Sequence, residues 1–178
     1  MADEYEFGSV DFITVGTIGP PGQRVFHLQA KQDDDLLTLI IEKEQASALA
    51  ETILALIEKI QEDLGLPTDE LNLQQLDLAL LEPILPVFRV AQMGLGYDDN
   101  KDVLILVVSE LLPEDAETEP RSARIVATRA QMQALARHTQ NVVEQGRPIC
   151  GNCGRPIDPD GHFCPKSNGH RKHVADHE

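Results

Sequence analysis

Near the start of the chain, apolar and polar residues alternate. DFITVGTIG, from Asp11 to Gly19, reads as a strand. Pro20-Pro21-Gly22 follows it. Proline presets φ at the second position of a type II turn and glycine accepts the positive φ of the third, so a hairpin is expected there and not a phosphate loop. RVFHLQA, Arg24 to Ala30, reads as the return strand, KQDDD as a polar loop, and LLTLIIE, Leu36 to Glu42, as a third strand.

The period then becomes helical. From Lys43 to about Leu64, Ala46, Leu49, Ile53, Leu56, Ile60 and Leu64 recur at steps of three and four and make one apolar stripe. Gly65 and Pro67 end that helix. Residues 66–86 are less periodic, and Pro83 and Pro86 break whatever short helix they hold. The first pattern returns with strands at Val87–Gly96, Val103–Leu112 and Ala123–Thr128. A polar loop, YDDNKD, lies between the first two and an acidic loop between the last two. Gly94-Leu95-Gly96 reads as a strand end. A helix is expected from Arg129 to about Glu144, with Met132, Leu135, Thr139 and Val142 on one face.

The two halves resemble each other. EQASALAE at Glu44–Glu51 aligns with AQMQALAR at Ala130–Arg137, matching Gln45 to Gln131. Each stretch opens a helix after a hydrophobic strand. The expected body is therefore an α+β domain over residues 1–145, with candidate repeats at 5–65 and 86–145. Two βββα units would form an antiparallel sheet with helices on one face.

Charge and composition narrow the function. The chain has 178 residues, 42% of them hydrophobic, no Trp, and a formal net charge of −15. Such a surface repels nucleic acid and anionic lipid. From Gly146 onward, five Lys or Arg stand against four Asp or Glu, so contact with phosphate would have to use the tail. No apolar run is long enough to cross a membrane. MADEYEFG is acidic and lacks an apolar core, so no secretory signal is expected and the cytoplasm is the expected location.

The tail, 146–178, holds the chemistry. CGNCGRPIDPDGHFCPKSNGH contains all three cysteines of the chain, spaced Cys150-x2-Cys153-x10-Cys164-x5-His170. Zinc favours a tetrahedron of thiolates and imidazoles, and a C-x-x-C turn offers two thiolates on one knuckle. The segment is rich in Gly and Pro and poor in apolar residues, so a bound ion would supply its folding energy. Cys150, Cys153, Cys164 and His170 are the expected ligands, with His162 or His173 as alternatives for the fourth. Four protein ligands leave no open position for water, which marks a structural zinc knuckle. A redox dithiol would need its first Cys at a helix N-terminus after a strand; here the motif follows a helix. A zinc deaminase would need His-x-Glu, and His138 is followed by Thr and Gln. Asp33-Asp34-Asp35 and Asp98-Asp99 read as solvated loop charge, and His27 and His138 sit in no triad motif. His170-Arg171-Lys172-His173 reads as a solvated terminus.

Taken together, GTIGPPGQRVFHLQA, the EKEQ helix start, FRVAQMGLGYDDNKDVLILVV and the cysteine tail resemble a bacterial family, common in actinobacteria, with no assigned biochemical role. The resemblance implies membership of a trio with a histidine-phosphatase-like and a phosphatidylinositol-kinase-like protein, and hence candidate protein partners. It supplies no catalytic residues: neither Arg-His-Gly nor His-Arg-Asp occurs. The first reading is a non-catalytic binding or accessory module with structural zinc. The alternatives are a metal-dependent hydrolase or phosphate-ester enzyme acting with the trio, and nucleic-acid binding through the zinc tail.

Overall fold

A computed structural model describes residues 3–20, 22–68 and 71–145, together with the backbone of a strand pair at 162–163 and 172–173. The body is a mixed α+β domain. Its strands are β1 (Glu4–Phe7), β2 (Phe12–Ile18), β3 (Val25–Gln32), β4 (Asp35–Ile41), β5 (Phe88–Asp98), β6 (Val103–Glu110) and β7 (Ser122–Thr128). Helix α1 (Lys43–Leu64) follows β4, and α2 (Arg129–Gln145) follows β7. The order of three strands and a helix therefore occurs twice.

The seven strands form one sheet in the order β1-β7-β6-β5-β4-β3-β2. The expected antiparallel sheet is corrected here. Two joints, β1 with β7 and β4 with β5, are parallel. The β4–β5 joint has a simple cause: a helix and a connector carry the chain back to the starting end of the sheet, as a parallel neighbour requires. β1 was not foreseen, because EYEF is short and half charged. It adds Phe7 to the core beside Ile125.

The sheet's two outer strands are consecutive in the chain, and the short link between them ties both edges. The Val10 N–H donates to Val126 O at 3.0 Å, beyond the end of the β1–β7 ladder, and the Asp11 N–H donates to Lys31 O at 2.8 Å, at the start of the β2–β3 ladder. The sheet thus curls until its edges meet at residues 8–11.

One face of the sheet holds the aliphatic core. Val15, Leu28, Leu39, Leu104, Leu106 and Ile125 are buried there. They pack with Ala46, Ala50, Ile53 and Ile57 of α1 and Met132, Leu135 and Ala136 of α2. Each fully buried aliphatic side chain contributes roughly 1.5–3 kcal/mol. The α1 stripe is rotated slightly from its expected place: Ala50 and Ile57 are buried, Leu56 is half-buried, and Leu64 is 50% exposed. Leu64 sits where the helix stops against Gly65, whose φ of 64° lets its N–H cap Gln61 O at 3.1 Å. The first hairpin turns as expected: the Gln23 N–H donates to Pro20 O at 2.9 Å, and Gly22 has φ 86°.

The other face of β2–β4 is covered by the connector between α1 and β5. That connector is irregular apart from a 3₁₀ turn at Leu73–Gln75. Gln29, fully buried, holds it. The Gln29 Nε2 donates to Leu81 O at 2.9 Å and to Thr38 Oγ1 at 3.1 Å, while Gln29 Oε1 accepts from the Leu81 N–H at 2.7 Å. The side-chain amide copies one rung of a sheet ladder. Beside it the buried Thr14 hydroxyl donates to Leu78 O, and Leu80 sits on Gly16, where an added Cβ would lie 2.6 Å from Leu80 Cγ.

Replacing Gln29 by Leu keeps the volume but leaves Leu81 and Thr38 without partners. The expected loss is about 1–3 kcal/mol of unfolding free energy, read from urea titration. A variant as stable as the parent would show that the connector does not depend on this amide.

Candidate functional site

The expected zinc ligands Cys150, Cys153, Cys164 and His170 lie outside the described residues. His162 is described as backbone only. It opens β8 (His162–Phe163), which pairs antiparallel with β9 (Lys172–His173), so that His162 faces His173 and Phe163 faces Lys172. Among the described residues, no group of three His, Cys, Asp or Glu side chains is placed to hold a metal.

The body's polar chemistry instead sits at the joints of the fold. At the start of α1, the Glu42 N–H donates to Gln45 Oε1 at 2.7 Å. The Gln45 Nε2 donates onward to Val90 O at 3.1 Å and Ala91 O at 3.3 Å. Those carbonyls lie at the β-bulge of β5, where the ladder with β6 breaks. At the start of α2, the Thr128 N–H donates to Gln131 Oε1 at 2.9 Å, and the Gln131 N–H donates to Thr128 Oγ1 at 3.1 Å. The Gln131 Nε2 donates to Val10 O at 3.0 Å. Each glutamine closes a capping box on its own helix and ties that helix to the other half, Gln45 to the bulge of β5 and Gln131 to the link before β2. The sequence carries the signal, since Thr128-x-x-Gln131 is a capping-box pattern. The alignment of Gln45 with Gln131 marks the same pair, but neither clue reveals the backbone carbonyl at the far end of the amide.

Two arginine clusters hold loops. Arg129 donates to both Asp102 oxygens, from Nε at 2.6 Å and from one terminal nitrogen at 2.9 Å. Its other terminal nitrogen reaches Leu66 O, Pro67 O and Thr68 Oγ1. The Tyr97 hydroxyl donates to Asp102 Oδ1 at 2.7 Å. The Arg129 guanidinium, and then that hydroxyl, hold the Asp102 carboxyl below the usual carboxylate range. This cluster ties the β5–β6 loop, the start of α2 and the segment after α1 together. Arg121 closes the acidic loop between β6 and β7. It donates to Glu110 from Nε at 3.0 Å, from a terminal nitrogen at 2.7 Å, and from its backbone N–H at 3.0 Å. Its guanidinium also lies 5.5 Å from the centre of the Phe88 ring.

Neither histidine of the body faces an acid in a catalytic arrangement. His27 Nδ1 lies 3.0 Å from Val25 O. Burial lowers the pKa of His27, opposed by that backbone contact. Burial likewise lowers that of His138, opposed by a hydrogen bond to the Val15 backbone. A cleft of about 400 Å³ opens beside the start of α1, lined by Arg24, Phe26, Glu42, Lys43 and Arg89 among others. Neither histidine lines it. Arg89 is paired with Glu42 at 2.6 Å. Arg24 lies over Phe26 at 5.1 Å and donates to Val142 O at 3.1 Å. The aspartate runs serve turns: Asp98 Oδ1 accepts the Asn100 N–H at 2.9 Å, and Asp11 Oδ2 accepts the Asp33 N–H at 2.7 Å.

These joints define the class: a curled mixed α+β domain of two similarly ordered halves, with a cysteine-bearing C-terminal segment. The family model of a protein family of unknown function, DUF3090, matches residues 5–164, and the chain belongs to that family. The match takes in the whole body, Cys150, Cys153, His162 and Cys164, and ends before His170. No curated protein and no solved structure matches the chain. Among the described residues, no helix is long and apolar enough to cross a membrane.

The Arg121 contacts hold the Glu110 carboxyl down at about 2, against an ordinary value of 4.5. A carboxylate with a depressed folded pKa stabilises the fold above its unfolded value and loses that contribution as pH falls through its folded value. Between pH 4.5 and pH 2, the parent should therefore lose more melting temperature than Glu110→Gln does. Equal losses across that window would show that this pair does not contribute to stability.

Proposed function

We propose that this chain is a non-catalytic accessory protein of the cytoplasm, whose C-terminal segment carries one structural zinc ion and whose surface serves a protein partner. Cys150, Cys153, Cys164 and His170 hold the ion. Three thiolates and one imidazole are the donor set that zinc favours, and four protein ligands close the site to water.

The observation that carries this reading is the cysteine spacing taken with the pairing of β8 and β9. Cys164 follows β8 directly, and His170 stands just before β9. Phe163 pairs with Lys172, so the two ends of the loop that bears Cys164 and His170 are one rung apart. Such a hairpin supports both residues as ligands of one ion, facing the C-x-x-C knuckle. The same rung sets His162 opposite His173, which keeps His162 as the alternative fourth ligand.

The body supports an accessory role in another way. Three of its buried polar side chains are committed to a joint: Gln29 and Thr14 to the connector, and Thr38 to Gln29. Arg89, Arg121, Arg124 and Arg129 each face a carboxylate within 4.0 Å. A nucleic-acid surface needs clustered cations facing outward; here acids neutralise these four. The proposed partners are the histidine-phosphatase-like and phosphatidylinositol-kinase-like proteins of the trio.

The test is metal analysis of the purified full chain. About one zinc per chain is expected in the parent, and a strong loss in Cys150→Ser. His170→Ala should lose zinc where His162→Ala retains it. Full zinc in Cys150→Ser would overturn the site, and loss only in His162→Ala would exchange the fourth ligand.

A further inference from the structure

For most of its length β5 has a strand on one side only. It pairs with β6 from Val90 to Asp98, apart from the bulge, but with β4 only at Phe88 and Arg89. β4 stops at Ile41, and α1 begins at Lys43. From Gln92 to Asp98, no described strand lies beside β5 on the β4 side. The expectation that Gly94-Leu95-Gly96 ends a strand is corrected here, since both glycines lie inside β5. In an antiparallel pair, successive residues turn their N–H and C=O alternately toward the partner strand and away from it. Every second residue of Gln92–Asp98 therefore directs both groups at the side without a strand. The Gln45 amide takes the carbonyls of Val90 and Ala91, at the bulge, and no further one.

A cleft of about 210 Å³ lies along this edge, between β5 and α1. Met93, Gly94 and Leu95 all line it. Successive strand residues point to opposite faces, so a cleft that touches all three opens on the edge itself. Ala48, Leu49 and Thr52 line it from α1. The other half shows the closed counterpart, where α2 stands against β2, an edge strand of the sheet. With the helix starts aligned on Gln45 and Gln131, Ala48 corresponds to Ala134 and Thr52 to His138. His138 hydrogen-bonds the Val15 backbone. Ala134 is buried, and so is Val15. Around the cleft, Ala48 and Thr52 are exposed and Leu95 is half-buried. One helix seals its strand, and the other leaves an opening beside it.

We propose that the free edge of β5, Gln92–Asp98, takes an extended segment of a protein partner as an added strand, one in which apolar residues alternate with Lys or Arg. This rests on the reading of the chain as a partner-binding protein, names the surface, and is independent of the zinc. Main-chain hydrogen bonds join the segment to β5, and its apolar side chains enter the cleft between Leu49 and Met93. Charge selects the rest of its chemistry. Glu44 and Glu51, both exposed, stand four and three residues from Ala48 and so flank it on the helix surface. Asp98 and Asp99 follow at the end of the strand, with Lys101 beyond them. Lys59 of α1 is paired with Asp63 at 3.4 Å, and Arg89 with Glu42 at 2.6 Å. The balance around the edge is acidic. That acidity opposes a second copy of the chain, whose net charge is −15.

Hydrogen exchange of the full chain tests it, with a short synthetic peptide of alternating valine and lysine as the probe. Amides of Gln92–Asp98 that point away from β6 should exchange about tenfold more slowly in excess peptide, as for a ligand at about ten times its dissociation constant. A peptide of alternating valine and glutamate should leave them unchanged. Thr52→Trp, at an exposed helix position, should fill the cleft, keep the melting temperature and abolish the slowing. No slowing at β5, equal slowing by the glutamate peptide, or slowing that survives Thr52→Trp overturns the proposal. Slowing that grows with protein concentration in the absence of peptide places a second copy on the edge and overturns it too. Affinity capture from native cells separates this failure from that of the broader reading. A partner held equally by the parent and by Thr52→Trp overturns the edge and keeps the accessory role, whereas no partner held by either removes both.

Discussion

The fold depends on how its two halves are fastened. A sheet of seven strands curls until its first and second strands, consecutive in the chain, stand at opposite edges. Two glutamine amides fasten the halves to each other. Gln45 ties α1 to the bulge that opens β5, and Gln131 ties α2 to the link that precedes β2. In each case one side chain caps a helix start that would leave N–H groups unpaired and supplies a donor to a carbonyl at an irregular point of the sheet. The contribution is about 1 kcal/mol for the cap and a similar amount for the second bond. Because each amide reaches from one half into the other, neither half presents a finished edge by itself. The aliphatic core between sheet and helices is closed only when both are in place.

The residues that make regular elements were legible, and those that join them were less so. Alternation marked β2 to β7, and the three-four spacing marked both helices to within a residue or two, because burial on one face imposes those periods. The parallel joints left no mark, since pairing between strands far apart in sequence depends on the path of the helix and connector between them. β1 escaped because its alternation is short and its outward positions are glutamates. The connector over β2–β4 has no period at all. A single buried glutamine holds it, and nothing about Gln29 in the sequence sets it apart from a solvated one. The candidate metal residues are a different case. Cysteine spacing is a chemical signal that needs no period, and it was readable although Cys150, Cys153, Cys164 and His170 lie outside the described residues.

Charge and packing together shape the functional reading. Gln29, Thr14 and Thr38 serve the joint under the connector, and Arg89, Arg121, Arg124 and Arg129 each face a carboxylate. What the body does offer is shape: a sheet face under the connector in the first half and, in the second, a face on which a Cβ at Gly94 or Gly96 would meet no described atom within 4 Å. The cysteine segment, with five Lys or Arg against four Asp or Glu, follows α2 of that half.

The most direct test of the interlock is native-state hydrogen exchange on the full chain, followed by mass spectrometry of peptides covering β4–α1 and β7–α2, in the parent and in Gln131→Ala. If the amides fasten the halves into one unit, the slowest amides of both peptides in the parent share one opening free energy. In Gln131→Ala both should then fall together by about 1–2 kcal/mol. Separate opening free energies in the parent, or a loss confined to the β7–α2 peptide in the variant, would contradict the account.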